Sequence, residues 1–397
     1  MAKRKRSSSR KKSNPPNIWV VLLILLVIGV AYLVQQGYIN PDQYGLGWLF
    51  SEEERTDIVS VPKPTVTGNG EVQVFFTTPY LVYPDDRERR TPMPHEQAMI
   101  ADIDAAQQSV DMAVFEYDLE SLAQALVRAE QRGVTVRLAL DEEHLEEDEE
   151  MAYWAGEVEQ AGIPIAWEPS TAFLHSKYII IDDQIVWMGS WNASNNDTYR
   201  NNNNLIRFTI PPIVENYNVE FEQMFNDTFG NDKQAMTPNP VVTVGDMRIE
   251  NYFQPREKVA PLIVERIAGA QQSVRFLAFS YTSDPIGEAM LERHDVGIEV
   301  RGVFEKRNAE GLGSEYPALL DAGVDVLRDG NCYTMHHKFI VIDERTVITG
   351  SYNFSDRAEN TNDENLVIID SPAIAAQYLE EFERVYEQAV AQPPCGG

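Results

Sequence analysis

The chain has 397 residues, 43% of them hydrophobic and 10% aromatic, a composition that excludes a disordered protein and allows two or three domains of ordinary size. Its charge is divided sharply. Lys3, Arg4, Lys5, Arg6, Arg10, Lys11 and Lys12 stand among no acids, whereas the remainder holds 26 basic against 62 acidic side chains, a net of −36, which disfavours a body built to gather a polyanion.

The basic residues form a tail over 1–16. From Ile18 to Val34 run 17 residues with no charge, amide or hydroxyl except that of Tyr32. At about 1.5 Å per residue this is close to the shortest helix that crosses a bilayer. Residues 17–36 are therefore read as an uncleaved signal anchor in the cell membrane, with the basic tail cytoplasmic and the body extracytoplasmic. A cleaved secretory signal, with Gly29-Val30-Ala31 as a weak processing site, is the competing reading, and its apolar core would be unusually long. Pro41, Pro62, Pro64 and several glycines make 37–70 an extended linker.

Beyond the linker the sequence repeats itself. Ala106-Gln107-Gln108-Ser109-Val110 recurs as Ala270-Gln271-Gln272-Ser273-Val274, and Gly133-Val134-Thr135-Val136-Arg137 as Gly297-Ile298-Glu299-Val300-Arg301. Ala161-Gly162-Ile163 returns as Ala322-Gly323-Val324, and Tyr217 with Phe221 as Tyr378 with Phe382. Two duplicated domains follow, 71–235 and 236–397, with a seam rich in Pro, Asn and Thr near Asn231 to Pro240. Each half reads as alternating strands and helices, such as a helix over 95–106 and a buried strand from Val110 to Phe115. This pattern predicts α/β layers with each sheet covered on both faces.

The repeat culminates in His-x-Lys-x4-Asp-x6-Gly-Ser-x-Asn, present twice at identical internal spacing. The first copy is His175, Lys177, Asp182, Gly189, Ser190 and Asn192; the second is His336, Lys338, Asp343, Gly350, Ser351 and Asn353. In a strand, residues two apart share a face, so His175 points with Lys177 and Ser190 with Asn192. Asp182-Asp183-Gln184 turns the chain back, as Asp343-Glu344-Arg345 does in the second copy. Each half-site thus offers an imidazole, an ammonium, a hydroxyl and a carboxamide. A phosphodiester needs a nucleophile, a proton for the leaving oxygen and donors for phosphoryl charge, and only two such halves together supply both imidazoles.

The paired motif resembles the signature of the phospholipase D superfamily, over roughly residues 71 to 390. The resemblance implies two duplicated phospholipase D-like α/β domains, each a mixed sheet flanked by helices, forming a pseudo-dimer within one chain, so that a monomer suffices. It implies that one histidine attacks phosphorus to give a phosphohistidine while the other protonates the leaving alcohol, with neither metal nor cofactor. His175, Lys177, Asp182, His336, Lys338, Asp343 and Glu364 form the expected catalytic set. Ser190, Asn192, Ser351, Asn353 and Asn203 are the expected phosphate-binding and supporting residues. Within that set the two aspartates read as holding the turn and the local charge.

Twenty-eight residues beyond each histidine stand Asn203 and Glu364, where the family places an acidic residue that orients the histidine. Pairing each with its own motif makes His336, beside Glu364, the general acid and His175, near Asn203, the nucleophile. His95, His144 and His294 read as structural. The Asp141–Glu150 run, eight acids in ten residues, reads as a solvated face. Trp187 reads as core and Trp191 as a lining of the entrance. Asn192-Ala193-Ser194 and Asn353-Phe354-Ser355 fit the glycosylation pattern but read as site residues. Cys332 and Cys395 are candidates for a disulfide in an oxidising compartment. The anchor and the acidic body favour a phospholipid substrate. A metal-independent extracytoplasmic endonuclease acting on nucleic acid, or a phosphatidyl transferase of the cardiolipin synthase type, is the alternative.

Overall fold

Runs of β-branched and aromatic residues recur at matching offsets in the two halves and fold into two eight-stranded sheets. The computed structural model describes residues 65–67, 71–77, 84–169 and 172–395. The first sheet holds β1 (Thr65–Thr67), β2 (Val72–Thr77), β3 (Ser109–Val114), β4 (Thr135–Asp141), β5 (Ile165–Glu168), β6 (Tyr178–Ile181), β7 (Ile185–Gly189) and β8 (Asn203–Phe208), in the order β1-β2-β8-β7-β6-β3-β4-β5. The second holds β9 (Val241–Val244), β10 (Met247–Gln254), β11 (Ser273–Ala278), β12 (Glu299–Phe304), β13 (Asp325–Arg328), β14 (Lys338–Ile342), β15 (Thr346–Gly350) and β16 (Glu364–Asp370). Its order, β9-β10-β16-β15-β14-β11-β12-β13, is the same topology again.

Both sheets are mixed. The β3-β4-β5 and β11-β12-β13 ladders are parallel, and the motif hairpins β6-β7 and β14-β15 are antiparallel. The hairpin turns place Asp182, Asp183, Asp343 and Glu344 at φ of 51 to 54°, a left-handed conformation that Asp tolerates better than most residues. Strands β6 and β14, which follow the histidines, are buried on both faces. Tyr-Ile-Ile-Ile and Phe-Ile-Val-Ile therefore run as continuous apolar sequence where a half-exposed strand would alternate.

Three cores hold the layers. Met99, Leu122, Leu126, Val158 and Trp187 pack the helices Pro94–Ala105, Glu120–Gln131 and Glu149–Gln160 against the outer face of the first sheet. Ile263, Ile267, Met290 and Phe304 do the same for the second. The third core joins the halves: Tyr217 and Phe221 of helix Pro211–Phe225 share it with Phe253, Phe339, Tyr378 and Phe382. The last two lie on the closing helix Pro372–Ala391. The seam is part of this interior, because Lys233 is buried in ion pairs with Glu220 and with Asp363.

Other expectations shift. Thr65–Thr67, inside the expected linker, already pairs with β2. The 1–16 tail, the 17–36 anchor and the rest of the linker up to residue 64 lie outside the described residues, among which no helix is long and apolar enough to cross a membrane. The acidic run is only partly a solvated face. Asp141 is fully buried and accepts from His144 N and Leu174 N, while Asp148 caps the next helix. Trp191 is buried at 4% exposure and donates to Thr198 Oγ1 at 3.1 Å, so it packs the interior where an entrance position was expected. Cys332 and Cys395 form a disulfide with Cα atoms 5.2 Å apart.

Candidate active site

The loops before β6 and β14 cross between halves. Leu174 bridges to Asp363 and Asn202 bridges to Met335, in parallel register. His336 N donates to Asn202 O and Asp363 N to Phe173 O, both at 2.9 Å. Each histidine is thereby threaded into the opposite half.

Its partners follow from that threading. His175 Nδ1 lies 2.7 Å from Glu364 Oε2, which also accepts from Ser351 Oγ at 2.6 Å. His336 Nδ1 lies 2.9 Å from Asn203 Oδ1, which also accepts from Ser190 Oγ at 2.9 Å. This corrects the expected pairing: Glu364 holds His175 and Asn203 holds His336, because the residue after each motif reaches across to the other histidine. The assignment of His336 as acid on the strength of Glu364 loses its basis with that pairing.

Lys177 and Lys338 stand equivalently, each donating from Nζ to the carbonyl of its own motif histidine at 2.8 Å. Lys177 Nζ lies over the Phe115 ring and Lys338 Nζ over Phe279, at 5.4 and 4.7 Å, and the same rings meet His175 and His336 edge-on. Asn192 is buried, its Oδ1 accepting from Glu116 N at 3.4 Å. Asn353 Oδ1 is buried without a hydrogen-bond partner. The structure thus gathers His175, Lys177, Ser190, Asn192, Asn203, His336, Lys338, Ser351, Asn353 and Glu364.

It does not gather Asp182 and Asp343. Both sit at the far end of their strand, about 13 Å along four residues of β rise. There Asp182 accepts from the backbone N–H groups of Gln107, Gln108 and Ser109, and Asp343 from those of Gln271, Gln272 and Ser273. Three N–H donors per carboxylate fix the preceding helix–strand corner, so these two are removed from the catalytic set. The recurring Ala-Gln-Gln-Ser-Val sequence is that corner.

Electrostatics set the site apart. Burial, then the Lys177 and Lys338 ammonium groups, push His175 well below its ordinary range. Burial and Lys338 push His336 down to about 4, and burial pushes the Glu364 carboxyl up to about 8. Burial also lowers both lysines, and Lys177 lowers Lys338 further. Burial outweighs the Glu364, Glu116 and Asp197 carboxylates, which pull both lysines the other way. An anion bound beside them would favour the charged form of each.

Sequence reasoning missed Asp197. It is buried, with Oδ2 3.4 Å from His336 Nδ1 and 2.7 Å from Asn192 N, and its Oδ1 accepts from Asn201 Nδ2 at 2.7 Å. Burial would raise this carboxyl, yet His336 and those donors hold it well below the usual range. His336 thus has a carboxylate of its own, outside the repeat: the residue 161 positions on is Ala358. Phe115 and Phe279 were legible, since Val-Phe-Glu-Tyr and Ala-Phe-Ser-Tyr stand at the offset of the other strand repeats.

Comparison with known proteins bears on this geometry. A family model described as "Cardiolipin synthase, PLD-like domain" matches residues 99–225 and 263–386, more than half of the chain. A mitochondrial cardiolipin hydrolase of Xenopus laevis is 35% identical over 126 residues, 32% of this chain and 60% of that protein. A phospholipase D of Rickettsia prowazekii (strain Madrid E) is 30% identical over 34% of this chain and 65% of its own length. The chain thus spans less than two thirds of either relative. The phosphatidylserine synthase structure from Haemophilus influenzae shares the fold over 74% of this chain and 84% of its own, at TM-score 0.56 and 12% identity. With both matched segments falling one on each sheet, the chain belongs to the PLD-like domain family of the phospholipase D superfamily and carries two copies of that domain.

Proposed function

We propose that the protein hydrolyses a phospholipid phosphodiester through a phosphohistidine, in a body held outside the cytoplasm by its N-terminal segment. The observation that carries this reading is the pair of crossed brackets, Ser351-Glu364 on His175 and Ser190-Asn203 on His336. Among the described residues neither Nε2 makes a hydrogen bond, and each motif lysine donates to the carbonyl of its own histidine.

The brackets divide the labour. Donation of His175 Nδ1–H to the Glu364 carboxylate leaves a lone pair on Nε2 and stabilises the positive charge that grows as that nitrogen bonds phosphorus. His175 is therefore the nucleophile. His336, between Asn203 and Asp197, is the general acid: its Nε2–H passes to the leaving oxygen as the P–O bond breaks. Lys177, Lys338 and the Asn192 and Asn353 amides take the phosphoryl charge. The bound anion offsets the lysines that hold His336 down, so substrate itself restores the acid's proton. His336, now neutral, takes a proton from water as that water attacks the phosphohistidine. His175 is freed and phosphatidic acid leaves.

Support for a lipid comes from the acidic body, the apolar run at 18–34 and relatives whose names specify cardiolipin hydrolase and phospholipase D. The test incubates the protein with labelled phosphatidylglycerol, phosphatidylcholine and plasmid DNA in the presence of EDTA. Phosphatidic acid is the expected product, and His175→Ala or His336→Ala should lower its formation by about 10^4-fold or more without unfolding the chain. Nicked DNA with intact lipid would select a nuclease, and lipid dimers a phosphatidyl transferase.

A further inference from the structure

A cavity of about 260 Å³ opens beside His336, lined by Glu116, Asp197, Phe279, Glu305, Arg307 and Asn308 among others. Neither His175 nor either motif lysine borders it. Its charge is opposite in sign to that of the phosphate cradle. Glu305 is 1% exposed. Its Oε2 accepts from Arg307 N at 2.8 Å and Asn308 N at 3.0 Å, while its Oε1 is buried with no hydrogen-bond partner. Arg307 Nε stands 3.8 Å from that oxygen, beyond hydrogen-bond reach, on a side chain 61% exposed whose guanidinium donates instead to Tyr333 O at 2.7 Å. Glu116, on the opposite half, accepts from Ser194 Oγ at 3.1 Å. Burial raises both carboxyls, assisted at Glu116 by Asp197 and at Glu305 by Asp329.

Buried carboxylate oxygens without donors are rare because their desolvation goes uncompensated. A ligand bringing N–H donors and positive charge would satisfy Glu305 Oε1 and offset the Glu116 carboxyl across the cavity. We infer that this cavity is the leaving-alcohol subsite and that it selects a head group ending in a primary ammonium, as in an aminoalcohol ester of phosphatidic acid. The inference rests on the hydrolytic reading above. A leaving oxygen protonated by His336 must lie on the side of His336, and this is the space there. The volume equals about nine waters at about 30 Å³ each, ample for a two- or three-carbon head group. A trimethylammonium has no N–H to offer Glu305 and favours an aromatic cage, whereas the lining holds one phenyl ring, Phe279, beside the His336 imidazole. Glycerol can donate a hydroxyl but leaves the charge unmatched, and a polynucleotide would bring further anions.

The test compares phosphatidylethanolamine, phosphatidylcholine and phosphatidylglycerol of identical acyl chains in mixed micelles. Bis(p-nitrophenyl) phosphate serves as a reporter blind to head group. The kcat/KM for ethanolamine ester should exceed the other two by about tenfold or more, as expected when a site's buried polar groups are met by only one substrate. In Glu305→Gln and Glu116→Gln, placed on different halves, that ratio should shrink toward one. Free ethanolamine should inhibit the wild-type protein at least about tenfold more tightly than choline, a readout that needs no variant to fold. Equal turnover of the three lipids, or a preference that survives both substitutions, overturns the inference while reporter hydrolysis leaves the catalytic reading standing. Loss of reporter and lipid turnover alike in the wild-type protein overturns both.

Discussion

Asp197 pairs with His336 and accepts from Asn192 N, and the first of these contacts fixes what loss of its charge should do. Asp197→Asn keeps the size and the hydrogen bond to Asn192 N but removes the charge that favours imidazolium. The expected result is a fall of about 10^2-fold or more in kcat for a lipid, whose alkoxide needs a proton, and little change for a p-nitrophenyl ester, whose anion leaves unaided. Equal losses on both substrates would make Asp197 merely structural. Glu364 makes the companion prediction. Folding raises its carboxyl from 4.5 to about 8, so the folded chain retains a proton that the unfolded chain releases. This contribution to stability is complete below 4.5 and is lost as pH rises through 8. Glu364→Gln cannot ionise, so its melting temperature relative to wild type should climb between pH 5.5 and 8.5 while turnover collapses. A difference flat with pH would refute the raised carboxyl. In the wild-type protein kcat/KM should rise toward about pH 8, as the His175–Glu364 pair sheds the proton that blocks attack. These partners were hidden in the sequence because pairing is a property of space: Asn203 and Glu364 were found by their offset, yet each was assigned to the wrong histidine.

At the scale of elements, the motif hairpins and their glycines carry the argument. A Cβ on Gly350 would stand 2.1 Å from Asn365 O, and one on Gly189 2.1 Å from Asn204 O, where backbone has no room to yield. These residues adjoin Glu364 at the head of β16 and Asn203 at the head of β8. Gly350→Ala should therefore cost about 3 kcal/mol in a denaturant melt and reduce activity beyond what stability explains, by moving Glu364 off His175. The hairpins themselves were legible, since two aspartates or an Asp-Glu pair between apolar runs is a turn with a mechanism. The helix over 95–106 and the strand at 110–115 fell within a residue of Pro94–Ala105 and Ser109–Val114. Strands β5 and β13 escaped notice because four-residue segments after a helix carry too little periodicity. The motif aspartates, grouped with the catalytic set, were also read as holding the turn, and the structure bears out that second reading: each fixes a corner by accepting backbone N–H groups.

For the molecule as a whole, duplication was readable from sequence and the shared interior was not. The offsets of Tyr217/Tyr378 and Phe221/Phe382 reveal equivalence, but not that both pairs meet in one core. The Cys332–Cys395 bond joins residues 63 positions apart and encloses His336, Lys338, Ser351 and Glu364. Reduction should lower stability by about 4 kcal/mol through loop entropy, read as a shift in urea midpoint with and without dithiothreitol. Activity at room temperature should persist, because neither sulfur touches the site. The crossed threading of Leu174 onto Asp363 and Met335 onto Asn202 has an implication for biosynthesis. Emerging from the ribosome in order, His175 must wait nearly two hundred residues for its counter-ion. A truncated or stalled product therefore carries an unarmed imidazole, and catalytic competence arrives only as a certificate that translation and folding have both finished.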